Sequence, residues 1–438
     1  MSGRKTIKIT GSKNEQPKQN IKAFFFLRHN NDIDHITPVL YKWLTTENVQ
    51  TDVIIPTSRD LLNDFRINFL KQYKNANIYY LGDLFKKYSL EYLFIRIYPK
   101  YDTQLDNVFK KIPFTEKIAN RIINRIIEKI FGDAKNSMVV FDWTTTYFVE
   151  QIVKFVKKRG AVTISLPHGD WPYDSLLMTI NDLNYDCLNS LKSLDIFDYV
   201  VIPNFICYPR HEYCIAKEKI KVLGCPRYSD EWMEIISKLI PSFKVEKSND
   251  KLKIIFFLRN TCYPIFWEEV IRTIKLILQF SNVYLIVKHH PRSGDVRIFT
   301  KKLIDLYPEV EQNIDKNLKF IYDDVNSTSL LKWADLVVDI GTSIAFGAIK
   351  EGKPVIMPEY LHANYSTIAH LIKSSELRCR DDLYNTIEKF VKNKKTKVYS
   401  EKEREKFIKE VINVPDRYVL ERYSGFLKKC LNEQIEKK

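Results

Sequence analysis

The chain reads as an α/β protein with two parallel-sheet halves, and three observations predict it. Short apolar runs of strand length alternate with amphipathic stretches along most of the sequence, the pattern of βαβ units. Runs such as Leu336-Val337-Val338 and Val283-Tyr284-Leu285-Ile286-Val287 carry no polar alternation, which suits strands covered on both faces. Residues 22–30, KAFFFLRHN, are echoed by 253–260, KIIFFLRN. Two apolar strands ending Phe-Leu-Arg would each open one Rossmann-type half. At 438 residues the chain exceeds what one core usually holds.

Taken in order, residues 1–20 read as a flexible tail and 21–236 as the first domain. Strands are expected at 22–27, 52–56, 77–81, 138–142, 161–166 and 198–202, with clear helices at 117–131 and 146–158. Residues 83–116 have the least regular pattern and read as an insertion. The polar shift after Trp232 puts a linker at 237–251. Residues 252–395 repeat the alternation, with strands at 253–258, 283–288, 318–322, 335–339 and 354–357. Helices at 264–280, 296–306 and 327–333, and one after Thr342, fill the intervals. Residues 396–438 read as basic helices able to pack back across the first domain.

Composition narrows the function classes. Hydrophobic residues at 45% and aromatics at 13% exclude wholesale disorder. No apolar run approaches the ~18–20 residues that span a bilayer, and the basic, polar N-terminus lacks a signal-type apolar segment. The seven cysteines are scattered without a CxxC pair, so neither a disulfide framework nor a zinc knuckle is expected and a reducing cytoplasm fits. A net charge of +15, dense at 389–409, fits either a solvated basic face or an anionic partner. Without an RNA-binding or zinc-finger signature no nucleic acid is expected. Peripheral contact with the anionic inner membrane surface is the functional reading.

Candidate chemistry gathers at strand ends, where open α/β sheets bind ligands. Residues 161–167, AVTISLP, run straight into His168-Gly169-Asp170-Trp171-Pro172. His168 can accept a proton near neutral pH, Asp170 can orient it or act as base, and Gly169 permits close approach. Phe141-Asp142-Trp143 ends the preceding strand and offers a further acid. Arg227, after Val222-Leu223-Gly224-Cys225-Pro226, fits a cleft or a plain surface. In the second half one strand ends in Lys288-His289-His290-Pro291-Arg292, a basic group suited to anions, and another ends in Arg259. Asp339-Ile340-Gly341-Thr342-Ser343 then turns into a helix whose start offers N–H and hydroxyl donors to phosphate. The same pattern also caps an ordinary βαβ turn; the basic strand end upstream favours the site.

In their order and spacing, His168-Gly169, Lys288-His289-His290-Pro291, and Asp339 to Ser343 followed by Gly352-Lys353-Pro354 resemble a known group. They are similar to bacterial surface-polysaccharide transferases of the GT-B architecture: teichoic-acid CDP-glycerol glycerophosphotransferases and capsule-polysaccharide transferases. The resemblance spans about 138–360. Two features depart from the glycerophosphotransferases: the loop reads His-Gly-Asp-Trp-Pro rather than His-Gly-Thr, and the turn reads Gly-Thr-Ser rather than a Tyr-Ser-Ser type. A CMP- or UDP-linked sugar therefore stands beside CDP-glycerol as donor.

The resemblance implies two Rossmann-type domains facing a cleft, with acceptor binding against the first and donor binding in the second. Joined to the chemistry of the residues, it gives His168 with Asp170 the acceptor proton. It gives Arg259, Lys288, Arg292, Gly341, Thr342 and Ser343 the donor phosphate, His290 a catalytic place beside them in stabilising the departing nucleotide, and Glu359 a ribose hydroxyl. No DxD-type acidic site stands out, so inverting, metal-independent transfer to a polysaccharide or lipid-linked acceptor is expected, with no cofactor beyond the donor. A nucleotide-sugar 2-epimerase and a non-catalytic scaffold of envelope assembly are the alternatives.

Overall fold

The computed structural model describes residues 21–436 apart from 133–134, 170–184, 241, 246–247, 260–263, 291–295, 315 and 323–324. Asp170 and Arg292 lie outside the described residues. Seven strands fall in the first half: β1 (Lys22–Phe26), β2 (Gln50–Ile55), β3 (Ala76–Tyr80), β4 (Met138–Phe141), β5 (Val162–Ser165), β6 (Tyr199–Ile202) and β7 (Ile220–Val222). They form one sheet in the order β3-β2-β1-β4-β5-β6-β7. The second half holds β8 (Leu252–Phe257), β9 (Val283–Lys288), β10 (Leu318–Ile321), β11 (Leu336–Asp339), β12 (Val355–Pro358) and β13 (Glu376–Leu377). Their order is β10-β9-β8-β11-β12-β13. Strand pairs in both sheets are parallel. Both sheets therefore reverse direction of build beside their first strand, β1 or β8, as in doubly wound folds.

The apolar strands have a direct cause. On β1, Phe24 and Phe26 join a core with Val139, Phe141 and helix Pro113–Phe131, while Ala23 and Phe25 join another on the opposite face. Successive side chains point to opposite faces, and helices cover both, so every position must be apolar. β8 repeats this: Ile255 and Phe257 face one cluster, Ile254 and Phe256 the other. Truncating any of these buried phenylalanines would cost roughly 3–5 kcal/mol.

The stretch 83–116 differs from the expectation of an irregular insertion. It contains helix Leu90–Lys111, broken only at Tyr101, where φ is −133°, shortly after Pro99. Apolar residues on two faces of this helix blurred its period. The helix Asp230–Leu239 runs into the segment read as a linker, and the short strands β7 and β13 lie beyond those expected. No described helix is long and apolar enough to cross a membrane.

The chain end returns to the first half. Helix Val419–Glu436 puts Val419, Tyr423 and Leu427 into the core beneath β1, against Ile36 and Leu40 of α1 (Asn30–Thr46). Just before it the chain crosses the end of β7, where the Cys225 amide donates to the Ile412 carbonyl at 2.8 Å. Nearby, the Tyr423 hydroxyl donates to the Gly224 carbonyl at 3.0 Å.

Candidate active site

Because β1, β4 and β5 are adjacent and parallel, the residues after them emerge on one edge: Arg28, Asp142 and His168. A fourth group, Asp32, comes from the first turn of α1, where it accepts the Arg28 amide at 2.6 Å and the His29 amide at 3.2 Å. His168 Nδ1 lies 2.9 Å from Asp32 Oδ1 and 2.8 Å from Asp142 Oδ2. Arg28 grips Asp142 with two bonds, Nε to Oδ1 at 3.1 Å and Nη2 to Oδ2 at 2.7 Å. Thr144 Oγ1 adds a third donor to Asp142 at 2.9 Å. Asp32 and Asp142 are fully buried, whereas the His168 side chain is 27% exposed.

These contacts set the protonation. Burial alone disfavours the imidazolium, but hydrogen bonds and charge from Asp142 and Asp32 outweigh it and raise His168 to about 9. Burial likewise opposes ionised Asp142, yet Arg28 and His168 hold it well below the usual carboxylate range. Two cations thus balance two carboxylates. Both carboxylates face Nδ1, and among the described residues none hydrogen-bonds Nε2. Asp32 and Asp142 thus orient His168; Asp170, expected in that role, lies outside the described residues.

In the second sheet β9, β8, β11 and β12 are neighbours, so Lys288 to His290, Arg259, Asp339 to Ser343 and Glu359 share one edge. Lys288 is the buried last residue of β9. His289 is buried too, stacked on Tyr322 with centroids 5.7 Å apart, and burial lowers it to about 4. His290 is half-buried just beyond. Gly341 takes φ +87° at the turn, a conformation suited to glycine. Asp339 accepts the Gly341 and Thr342 amides, both at 2.7 Å, and the Thr342 hydroxyl. Burial pushes Asp339 up to about 6 despite these donors. Glu359 accepts the Ser366 amide at 3.0 Å and hydroxyl at 2.6 Å, and burial pushes it up to about 7. Arg259 is buried within electrostatic reach of Asp339 and His362.

One helical turn joins the two edges. Asp34, two residues after Asp32, pairs with Arg66 and lies 3.6 Å from Arg227 Nη1. The same Nη1 donates to Ser343 Oγ at 3.3 Å, and the Tyr228 hydroxyl donates to the Ser343 carbonyl. The first turn of α1 therefore touches His168 on one side and, through Arg227, the Gly-Thr-Ser turn on the other. The strand ends of the two sheets face each other across this contact. Arg28, Asp32 and Asp34 were not singled out from sequence as site residues. Only the Phe-Leu-Arg echo with Arg259 pointed at Arg28.

Asp32, Asp142 and His168 each offer a ligand atom, all within 4.8 Å of one another, a spacing that could hold a metal ion. The donor set fits a divalent ion poorly, because Asp142 is already doubly held by Arg28 and an ion would have to displace the Nδ1 proton. The arrangement supports proton transfer at Nε2 beside an anion-accepting edge.

Comparison with known proteins bears on the fold and on part of the second half. Residues 275–366 match the model of a family described as capsule polysaccharide biosynthesis protein. That stretch carries Lys288, His290, the turn from Asp339 to Ser343, and Glu359. A search of curated protein sequences found no match. Among solved structures the chain is similar to S. aureus MnaA with UDP, at TM-score 0.58 and 14% identity over 94% of this chain and 97% of that one. It is similar to a putative UDP-N-acetylglucosamine 2-epimerase from Listeria monocytogenes, at TM-score 0.60 and 12% identity over 94% and 97%. It is also similar to the wall teichoic acid polymerase TagF soaked with CDPG, at TM-score 0.53 and 12% identity over 95% and 89%. The fold is GT-B, two Rossmann-like domains, and the chain resembles bacterial surface-polysaccharide transferases of that architecture.

Proposed function

We propose that the protein moves a glycosyl or glycerophosphoryl group from a CMP-, CDP- or UDP-activated donor to a hydroxyl of a growing cell-surface polysaccharide. It would act in the cytoplasm, at the inner face of the membrane. The observation that carries this reading is the first turn of α1, which links a carboxylate-held histidine on one edge to a phosphate-suited turn on the other. In this reading His168 Nε2 takes the acceptor proton while Asp32 and Asp142 hold Nδ1–H. The acceptor oxygen attacks the donor from the face opposite the nucleotide, which departs with inversion. Lys288, His290 and Ser343 would hold the departing phosphate and Glu359 the ribose, with Arg292, close in sequence to Lys288 and His290, as a further phosphate group. With Gly341 and Thr342 bonded to Asp339, the phosphate contact of the turn falls to Ser343 and Arg227. Lysine and arginine supply the positive charge, so transfer proceeds without a metal.

A nucleotide-sugar 2-epimerase is the second reading, favoured by the likeness to the Listeria protein and to MnaA with UDP. Thermal unfolding with CMP, CDP, UDP and their activated donors, with and without magnesium, tests both, because a ligand of the folded state raises the melting temperature. Selective stabilisation by one nucleotide, lost in His290→Ala, supports the donor site. A UDP-sugar converted without any acceptor would overturn transfer in favour of epimerisation. No stabilisation by any nucleotide would leave a scaffold.

A further inference from the structure

The helix Leu90–Lys111 is apolar on two sides. Ile95, Tyr98 and Phe109 point into the core with β1 and β4. Leu90, Leu93, Ile97 and Tyr101 are exposed, and their spacing of three, four and four residues draws one stripe along the helix. The next helix, Pro113–Phe131, buries Ile123, Ile126 and Ile127 yet leaves Phe114 71% exposed, with Ile118 one turn on. Apolar side chains this exposed on one helical hairpin mark an interaction surface.

Its rim is one-signed. Lys86, Lys87, Arg96, Lys100, Lys111 and Lys117 are exposed, whereas every acidic side chain between residues 86 and 118 is buried or half-buried. A second copy of the chain would bring the same cations against these, so self-association is disfavoured. Apolar and aromatic side chains set among lysines and arginines match an anionic lipid surface, where the alkyl groups enter the headgroup boundary and the cations meet the phosphates.

The hairpin also touches the acceptor edge. Asp106 accepts the Tyr147 amide at 2.9 Å and the Tyr98 hydroxyl at 2.6 Å, which fixes the start of the helix that follows the Asp142 loop. Asp102, beside the break at Tyr101, lies within electrostatic reach of Arg28.

We propose that this hairpin face, rather than the basic chain end, docks the protein on an anionic bilayer and so brings a lipid-linked acceptor to His168. The docking stands on the surface alone; its purpose rests on the transferase reading. Co-sedimentation with vesicles of phosphatidylglycerol in phosphatidylcholine, against pure phosphatidylcholine, tests it. Wild type should partition onto the anionic vesicles, and Leu93→Ser/Ile97→Ser/Phe114→Ser should weaken this at least tenfold. Each of Lys100→Glu and Lys117→Glu should weaken it roughly fivefold or more. These exposed positions lie outside the catalytic groups, so circular dichroism and transfer to a water-soluble acceptor should be unchanged. Absence of wild-type partition, or equal partition of the triple variant, would overturn the proposal. So would a wild-type dimer in sedimentation velocity that the triple variant loses. Vesicle binding without any transfer would leave docking intact and sink the transferase reading; transfer without vesicle binding would do the reverse.

Discussion

His168 is more basic than a free histidine because two buried carboxylates face its Nδ1, and this has consequences for rate and for stability. With a value of about 9, about one molecule in a hundred holds the neutral ring at pH 7. A base at Nε2 then predicts that kcat/KM rises about tenfold per pH unit and levels near 9; a rate that falls through the same window would make His168 an acid instead. For stability, the folded value lies above the unfolded one of about 6.5. The contribution, on the order of 3 kcal/mol, is fully present below pH 6.5 and is lost as pH rises through 9. His168→Ala removes a cation from two buried carboxylates and should destabilise by about 3 kcal/mol as well as abolish transfer. His168→Asn keeps an N–H donor near the position of Nδ1. It should lose less stability than His168→Ala, since the donor remains although the cation is gone, and still be inactive, which chemical denaturation and a single-turnover assay would separate.

The turn after β11 is held by one carboxylate. Asp339 collects two amides and a hydroxyl, so Asp339→Ala strands three donors and should cost about 3 kcal/mol. Asp339→Asn tests the charge apart from the hydrogen bonds. Burial raises this carboxyl from 3.8 to about 6, so the native state binds a proton more tightly than the unfolded chain does. Stability from this group is therefore present at low pH and falls as pH rises towards 6. The asparagine variant lacks that loss, and between pH 5 and pH 7 its unfolding free energy from urea titration should gain on wild type by about 1 kcal/mol. A constant difference across that range would mean that the carboxylate is ionised throughout. If Ser343 contacts donor phosphate, Asp339→Ala should also raise the donor KM more than it lowers kcat, since it loosens the turn without touching the acceptor side.

At the scale of the whole molecule, the two sheets were legible because strands covered on both faces must be continuously apolar. The Phe-Leu-Arg echo was legible because each half starts its sheet with such a strand. It proves to be architectural: Arg28 meets Asp142 where the first sheet reverses, and Arg259 neighbours Asp339 where the second does. His168 was legible as a strand-end histidine, but its partners lie 136 and 26 residues away in the chain. Only strand order brings those partners together, which local spacing does not show; the partner that local spacing offered, Asp170, lies outside the described residues. The join between the halves was equally hidden. At Gly224, φ is +98° and an added Cβ would lie 2.9 Å from both the Ile412 carbonyl oxygen and Val419 Cγ2, where the returning chain crosses the end of β7. Gly352 has φ +73° with nothing within 4 Å of such a Cβ. The pair separates backbone strain from crowding. Gly352→Ala should cost only the left-handed penalty, roughly 1–2 kcal/mol. Gly224→Ala should cost that plus displacement of the backbone at the crossing, roughly 3 kcal/mol or more. It should also loosen Val419–Glu436 from the first sheet, read as faster amide exchange in that helix. Equal losses in the two variants would mean that the crossing yields freely and that the C-terminal helix does not hold the halves together.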